Sequence, residues 1–136
     1  MRRGLVTALL LTLAVPAAPG DASKGRRPRL DLRASPRIAF TPVSVIVTAE
    51  LQGGDELEEF YCPALEWEWG DGSRSETASD CEPFEDKESF ERRFFARHDY
   101  RRAGEYNVKL TLRRSQRAVA IATTTLTVHA SVGGPD

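Results

Sequence analysis

Two cysteines, two histidines, two tryptophans and one methionine are all that the 136-residue chain has of those residue types. Each scarcity removes a class of function. Cys62 and Cys81 stand too far apart for a Cys-x-x-Cys redox motif, and His98 and His129 are each isolated from them, so no zinc-ligand spacing is present. No Asp-x-Asp-x-Asp-Gly loop offers calcium a ready-made cradle. Neither sign of charge dominates: 19 Lys and Arg against 20 Asp and Glu leave a formal charge of −1, which excludes a basic nucleic-acid-binding protein. The longest uncharged apolar run, Leu5 to Val15, has eleven residues, well short of the roughly 20 that cross a bilayer. Ten Gly and eight Pro are ordinary usage, so the chain is neither collagen-like nor a disordered Pro/Gly tract. The length suits one folded domain and excludes a multidomain enzyme.

That apolar run has a different reading. Arg2 and Arg3 form a basic start, Leu5–Val15 an apolar stretch, and VPAAPGDAS supplies small residues with cleavage points after Ala17, Gly20 or Ala22. Residues 1–22 therefore read as a secretory signal peptide, with an uncleaved anchor as the alternative. Removing them leaves 17 basic and 19 acidic residues, a charge of −2. Export into a secreted or periplasmic space would oxidise thiols, so Cys62 and Cys81 are expected to form a disulfide, the alternative being two free thiols. Residues 23–29 (SKGRRPR) read as a flexible lead-in, 30–130 as the domain, and 131–136 as a disordered tail.

Within 30–130 the apolar period is two. Val43, Val45, Val47, Ala49 and Leu51 alternate with polar or outward residues; so do Leu65, Trp67 and Trp69, and Tyr106, Val108, Leu110 and Leu112. Residues 117–129 form a β-branched strand whose inward set switches from Val119 and Ile121 to Leu126 and Val128, which calls for a bulge. Shorter strands are expected at Leu30–Leu32, Arg37–Phe40 and Phe90–Ala96, although Glu88–Arg97 also fits a helical turn. About seven short strands and no long amphipathic helix predict an all-β, two-sheet antiparallel sandwich, with a small barrel as the alternative.

A second set of residues narrows this. Trp67 and Trp69 precede a turn, Gly70-Asp71-Gly72, in which the glycines can take positive φ and Asp71 can bond the backbone. His98-Asp99-Tyr100 follows, then Gly104-Glu105-Tyr106-Asn107-Val108-Lys109-Leu110, where Gly-x-Tyr suits a tyrosine corner. In this order and phase the chain resembles the polycystic kidney disease (PKD) domain, whose signature is approximately Trp-Asp-Phe-Gly-Asp-Gly, His-x-Tyr and Gly-x-Tyr-x-Val-x-Leu. The resemblance covers about residues 30–130 and implies an immunoglobulin-like sandwich. It implies a non-catalytic module that mediates protein–protein or protein–carbohydrate contacts, or acts as a spacer. Standing alone after a signal peptide, the module has nothing to space, which favours contact with an extracellular or envelope protein or polysaccharide. A monomer is expected. Glu68 and Trp69 depart from the family's Asp and Phe, and the 27 positions from Asp71 to His98 exceed its usual spacing.

Charge is divided along the chain. From Glu50 to Glu88 there are 14 acidic residues against Arg74 and Lys87; from Ser89 to Arg117 there are 9 basic against 3 acidic. Asp55, Glu56, Glu58 and Glu59 precede Cys62, and Asp80, Glu82, Glu85 and Asp86 surround Cys81, so a disulfide would gather an acidic patch able to draw a basic partner or a calcium ion. No cofactor is otherwise expected. The arginines at 92, 93, 97, 101 and 102 lack interleaved aromatics of a nucleic-acid face and read as solvated charge. His98, Asp71 and the two tryptophans read as structural residues before catalytic base, acid or sugar platform. The competing function is a small secreted enzyme or inhibitor whose working loop is the insertion 73–97.

Overall fold

The computed structural model describes residues 25–55, 58–85 and 90–133. The segment read as a signal peptide, Glu56, Asp86 and the end of the tail lie outside them. Eight strands form: β1 (Arg29–Ser35), β2 (Ile38–Phe40), β3 (Val43–Gln52), β4 (Ala64–Glu68), β5 (Arg74–Thr77), β6 (Arg93–Tyr100), β7 (Gly104–Arg114) and β8 (Arg117–His129). A 3₁₀ turn, Glu58–Phe60, lies between β3 and β4. The strands make two sheets, β1-β3-β6 and β2-β8-β7-β4-β5.

The two-residue alternation is what binds the sheets. On β3 it turns Val45, Val47, Ala49 and Leu51 inward, and on β7 Tyr106, Val108, Leu110 and Leu112; all are buried in one core with Trp67, Trp69, Phe94, Tyr100, Leu126 and Val128. Each large aliphatic or aromatic side chain so buried contributes about 1.5–3 kcal/mol. Phe60, from the 3₁₀ turn, closes the core at the end where β3 leaves and β4 enters. On the way in, the backbone of Arg26 exchanges hydrogen bonds with Asp55, and Pro28 is buried, so residues 25–28 lie against the domain.

Four expectations need correction. The sandwich is not wholly antiparallel: β2 pairs parallel with β8, Ile38 opposite Thr127 and Phe40 opposite His129. The reason is that the chain does not reverse after β1. It steps through Pro36 and Arg37 into the other sheet and runs on in the same direction, with Thr127 N–H bonding Arg37 C=O at 2.8 Å and Thr41 N–H bonding His129 C=O at 2.9 Å. β5 was not foreseen, because Arg-Ser-Glu-Thr is exposed at all four positions and carries no apolar alternation; backbone pairing with β4 alone makes it a strand. Glu88–Arg97 gives no helical turn among its described residues, since Arg93 onward pairs with β3. Finally, Ile121 faces out at 59% exposure. The register passes from Leu112 opposite Ala120 to Arg113 opposite Ala118, leaving Val119 as the extra residue of a bulge, so the inward set changes phase there rather than beyond Ile121.

The β4–β5 turn sets a sharp steric demand. Gly70 has φ +84° and a Cβ there would stand 2.8 Å from the Asn107 nitrogen, whereas Gly72, φ +89°, has nothing within 4 Å. Gly72→Ala should therefore cost only left-handed strain, about 1 kcal/mol. Gly70→Ala adds collision with a backbone and should cost on the order of 3 kcal/mol. Urea melts of the two variants beside the parent protein check the difference.

Candidate functional site

At the end of the sandwich where β4, β6 and β7 meet, five rings form a chain. Trp67 and Trp69 lie nearly parallel with centroids 5.4 Å apart; Trp69 stacks on His98 at 4.5 Å; His98 meets Tyr100 edge-on at 4.8 Å; Tyr100 lies 4.3 Å from Tyr106. Contacts of this kind are worth about 0.5–1.5 kcal/mol each beyond the area they bury. The polar ends are satisfied. Tyr100 Oη donates to the Trp69 carbonyl at 2.8 Å, Trp69 Nε1 to Ser75 Oγ at 3.0 Å, and Tyr106 Oη to the Arg102 carbonyl at 2.7 Å. The last is the bond of a tyrosine corner, and a Cβ at Gly104 would meet the Tyr106 ring at 3.4 Å. Both tryptophans are 2% exposed, which leaves them no face for a sugar.

Asp71, Ser73 and His98 gather beside this stack, and the residue types raise the question of catalysis. A triad needs the hydroxyl on one ring nitrogen and the carboxylate on the other. Here both approach the same nitrogen: His98 Nε2 is 2.7 Å from Asp71 Oδ2 and 3.4 Å from Ser73 Oγ. Ser73 Oγ instead donates to Asp71 Oδ1 at 2.5 Å, and Ser73 N–H bonds the same oxygen at 2.9 Å. The trio clamps the turn against β6. Partial burial works against the Asp71 charge, but the bonds from Ser73 and His98 outweigh it and hold the carboxyl down at about 2. Burial pushes the Tyr100 phenol up, with Asp71 and Tyr106 adding to it.

At the opposite end Cys62 and Cys81 are joined by a disulfide, Cα atoms 6.3 Å apart. It ties the β5–β6 excursion to the start of β4, and Phe84 packs its ring 5.3 Å from that of Tyr61. The described acidic residues on the two sides of the bond form no shared cluster. Glu59 turns to Arg27, 3.1 Å away, and to Arg117, while Asp55 accepts from the Arg26 amide. Asp80, Glu82 and Glu85 are exposed, as is Glu58. Among the described residues no three His, Cys, Asp or Glu side chains stand where they could share a metal ion.

The two charge blocks of the sequence meet in space on the outer face of the five-stranded sheet. Register puts Glu66 opposite Thr111 and Glu68 opposite Lys109. Arg113 Nε then reaches Glu66 at 2.7 Å, Arg74 reaches Glu68 at 2.7 Å, and Lys109 also pairs with Glu68. The hydrogen bond from Lys109 and the three cations around it lower the Glu68 carboxyl against the opposing effect of burial. Such exposed pairs are worth little singly, and this face is a lattice of mutually answered charge.

The other outer face differs. On β1-β3-β6 the exposed large apolar side chains are Phe95, 74% exposed, and Ile46, 41% exposed, diagonal to one another because Phe95 lies opposite Thr48 and Arg97 opposite Ile46. Arg93 and Arg97 flank Phe95 on its own strand, Arg33 stands across Thr48, and Asp99 accepts from Ser44 Oγ. Of the phenylalanines in and after the excursion, Phe84, Phe90, Phe94 and Phe95, not all serve as its apolar anchors. Phe94 is one, buried in the core, and Phe90 packs beside it; Phe95 is displayed. The signal was present: Phe94 and Ala96 share the parity of His98 and Tyr100, which puts Phe95 with the arginines.

No protein-family model matches the chain, and no curated protein sequence does. A solved structure described as concerning the promiscuous specificity of carbohydrate-binding modules from the β-sandwich superfamily superposes with a TM-score of 0.53 at 20% identity. The match covers 79% of this chain and 36% of that one, so this chain spans about a third of its length. At that identity the likeness establishes a β-sandwich.

Two outcomes test the two ends. The native Asp71 carboxyl ionises at about 2 against an ordinary value of 3.8, so its charge stabilises the fold above about pH 4, and that contribution is lost as pH falls toward 2. Asp71→Asn should lower the melting temperature at neutral pH and converge with the parent by about pH 2, read by thermal scans across the range. At the other end Cys62→Ser with Cys81→Ser should cost about 3 kcal/mol in urea unfolding, from loop entropy alone.

Proposed function

We propose that the protein is a secreted, PKD-like, non-catalytic binding module that contacts polysaccharide at the cell envelope or outside the cell. The observation that carries this reading is Phe95. A ring 74% exposed on the outer face of the sheet, between two arginines and beside Asp99 and Ser44, presents an apolar plane rimmed by hydrogen-bonding groups. A pyranose offers the matching pattern, one C–H face with hydroxyls around its edge. A buried aromatic core and a β-sandwich of the kind found in carbohydrate-binding modules support it. The disulfide suits an oxidising compartment, and the basic-then-apolar beginning of the chain suits export. The geometry of Asp71, Ser73 and His98 supplies no oriented nucleophile for the enzymatic alternative.

The test is affinity electrophoresis through gels carrying neutral polysaccharides (starch, xylan) or uronate-containing ones (alginate, pectate). Retention is expected in at least one, and Phe95→Ala should weaken it about tenfold. Phe40→Ala, on the far sheet, should leave it unchanged. No retention in any gel, or equal retention of the Phe95 variant, overturns the reading.

A further inference from the structure

Three edges of the two sheets are short or turned away. β2 has three residues and β5 four. β1 has seven residues and lies close against β8 of the other sheet. β6 is different: eight residues at the border of the three-stranded sheet, with no strand beyond it among the described residues. Its hydrogen-bonding phase follows from one contact. Leu51 N–H bonds the carbonyl of Arg92, the residue directly opposite by register, at 2.7 Å. Alternation then commits the peptide groups of Phe94, Ala96, His98 and Tyr100 to β3, and directs those of Arg93, Phe95, Arg97 and Asp99 outward along the edge. An eight-residue edge of this kind is a template for another strand.

The side chains on those four outward residues say which strand. We propose that β6 pairs antiparallel with β6 of a second copy of this chain, about a two-fold axis at Ala96. In that register Arg93 stands opposite Asp99 of the second copy, Phe95 opposite its Arg97, and each pair recurs through the symmetry. The same register continues past the strand ends, bringing Glu91 opposite Arg101. Opposite charges, and an arginine beside an aromatic ring whose face stays open, are favourable cross-strand neighbours. Sliding by two residues spoils it in either direction. One shift sets Arg93 against Arg97, the other sets Arg97 against itself and Arg93 against Arg101. The partners are already held in place: Glu50 steadies Arg93 at 3.2 Å and Ser44 steadies Asp99, both from β3 on the same face. The result is one continuous six-stranded sheet with two Phe95 rings on its outer side. This goes beyond the binding reading and departs from the monomer expected on the sequence.

Sedimentation velocity over a concentration series tests it. The purified protein should show a dimer, and Arg93→Asp or Asp99→Arg alone should weaken dimerisation at least about tenfold, since each places like charges opposite one another twice. The double variant Arg93→Asp with Asp99→Arg restores opposite charges and should restore the dimer, which separates pairing from misfolding. A monomer at every concentration to about 1 mM overturns the proposal. So does a dimer that ignores the single reversals, or one that the double variant fails to recover. Dimerisation is scored by sedimentation of the charge variants and polysaccharide retention by Phe95→Ala, which leaves both charge pairs in place, so failure of one reading is distinguishable from failure of the other.

Discussion

The carbonyl of Trp69 is where the two layers are tied. It accepts the buried hydroxyl of Tyr100 at 2.8 Å, joining the end of β4 in one sheet to the end of β6 in the other. A buried pair of this kind holds because neither group can return to water without loss. Around it the same residue is fixed three more ways: its amide bonds Ser73 C=O at 3.1 Å, its indole nitrogen bonds Ser75, and its ring lies between Trp67 and His98. The Gly-Asp-Gly turn, the Asp71 clamp and the Tyr106 corner all follow from where Trp69 sits. The outward face of β6 follows too, since His98 and Tyr100 fix which parity of that strand looks inward.

How much of this was legible depended on whether a residue's role is written in apolar periodicity. Val45, Val47, Trp67, Val108 and Leu110 announce their direction by alternation, so the core and the long strands could be read directly. β5 could not, because its stability is backbone pairing with no apolar row to betray it. Nor could the parallel β2–β8 ladder: Ile38 and Phe40 look like any short strand, and which partner they take is decided by the path of the chain through Pro36 and Arg37. Ile121 was misjudged for a related reason, since one extra residue at Val119 inverts every side chain on one side of it. Phe95 illustrates a third limit. An aromatic next to another aromatic is naturally assigned to the core, and only the strand phase reveals that two adjacent rings part company.

Charge followed a similar logic. Read linearly, an acidic half and a basic half suggest a patch of each. Folding interleaves them instead, because β4 and β7 are neighbours and bring Glu66 and Glu68 beside Lys109 and Arg113. Arg97, Arg101 and Arg102, along β6 and the turn after it, are exposed and take no part in these pairs. Asp80, Glu82 and Glu85 are exposed in the tethered excursion at the opposite end.

The parallel ladder between β2 and β8 has a mechanical meaning. Tension drawn through the chain on the early side of β2 and the late side of β8 acts along both strands in opposite directions. Bonds such as Thr127 to Arg37 and Thr41 to His129 are then strained together, in shear, instead of parting one after another like a zip. β1 sits upstream of that ladder and is itself paired antiparallel to β3 over seven residues, so a pulling force must first detach it from the other layer. A chain that changes sheets between its first two strands is thereby built to hold under traction.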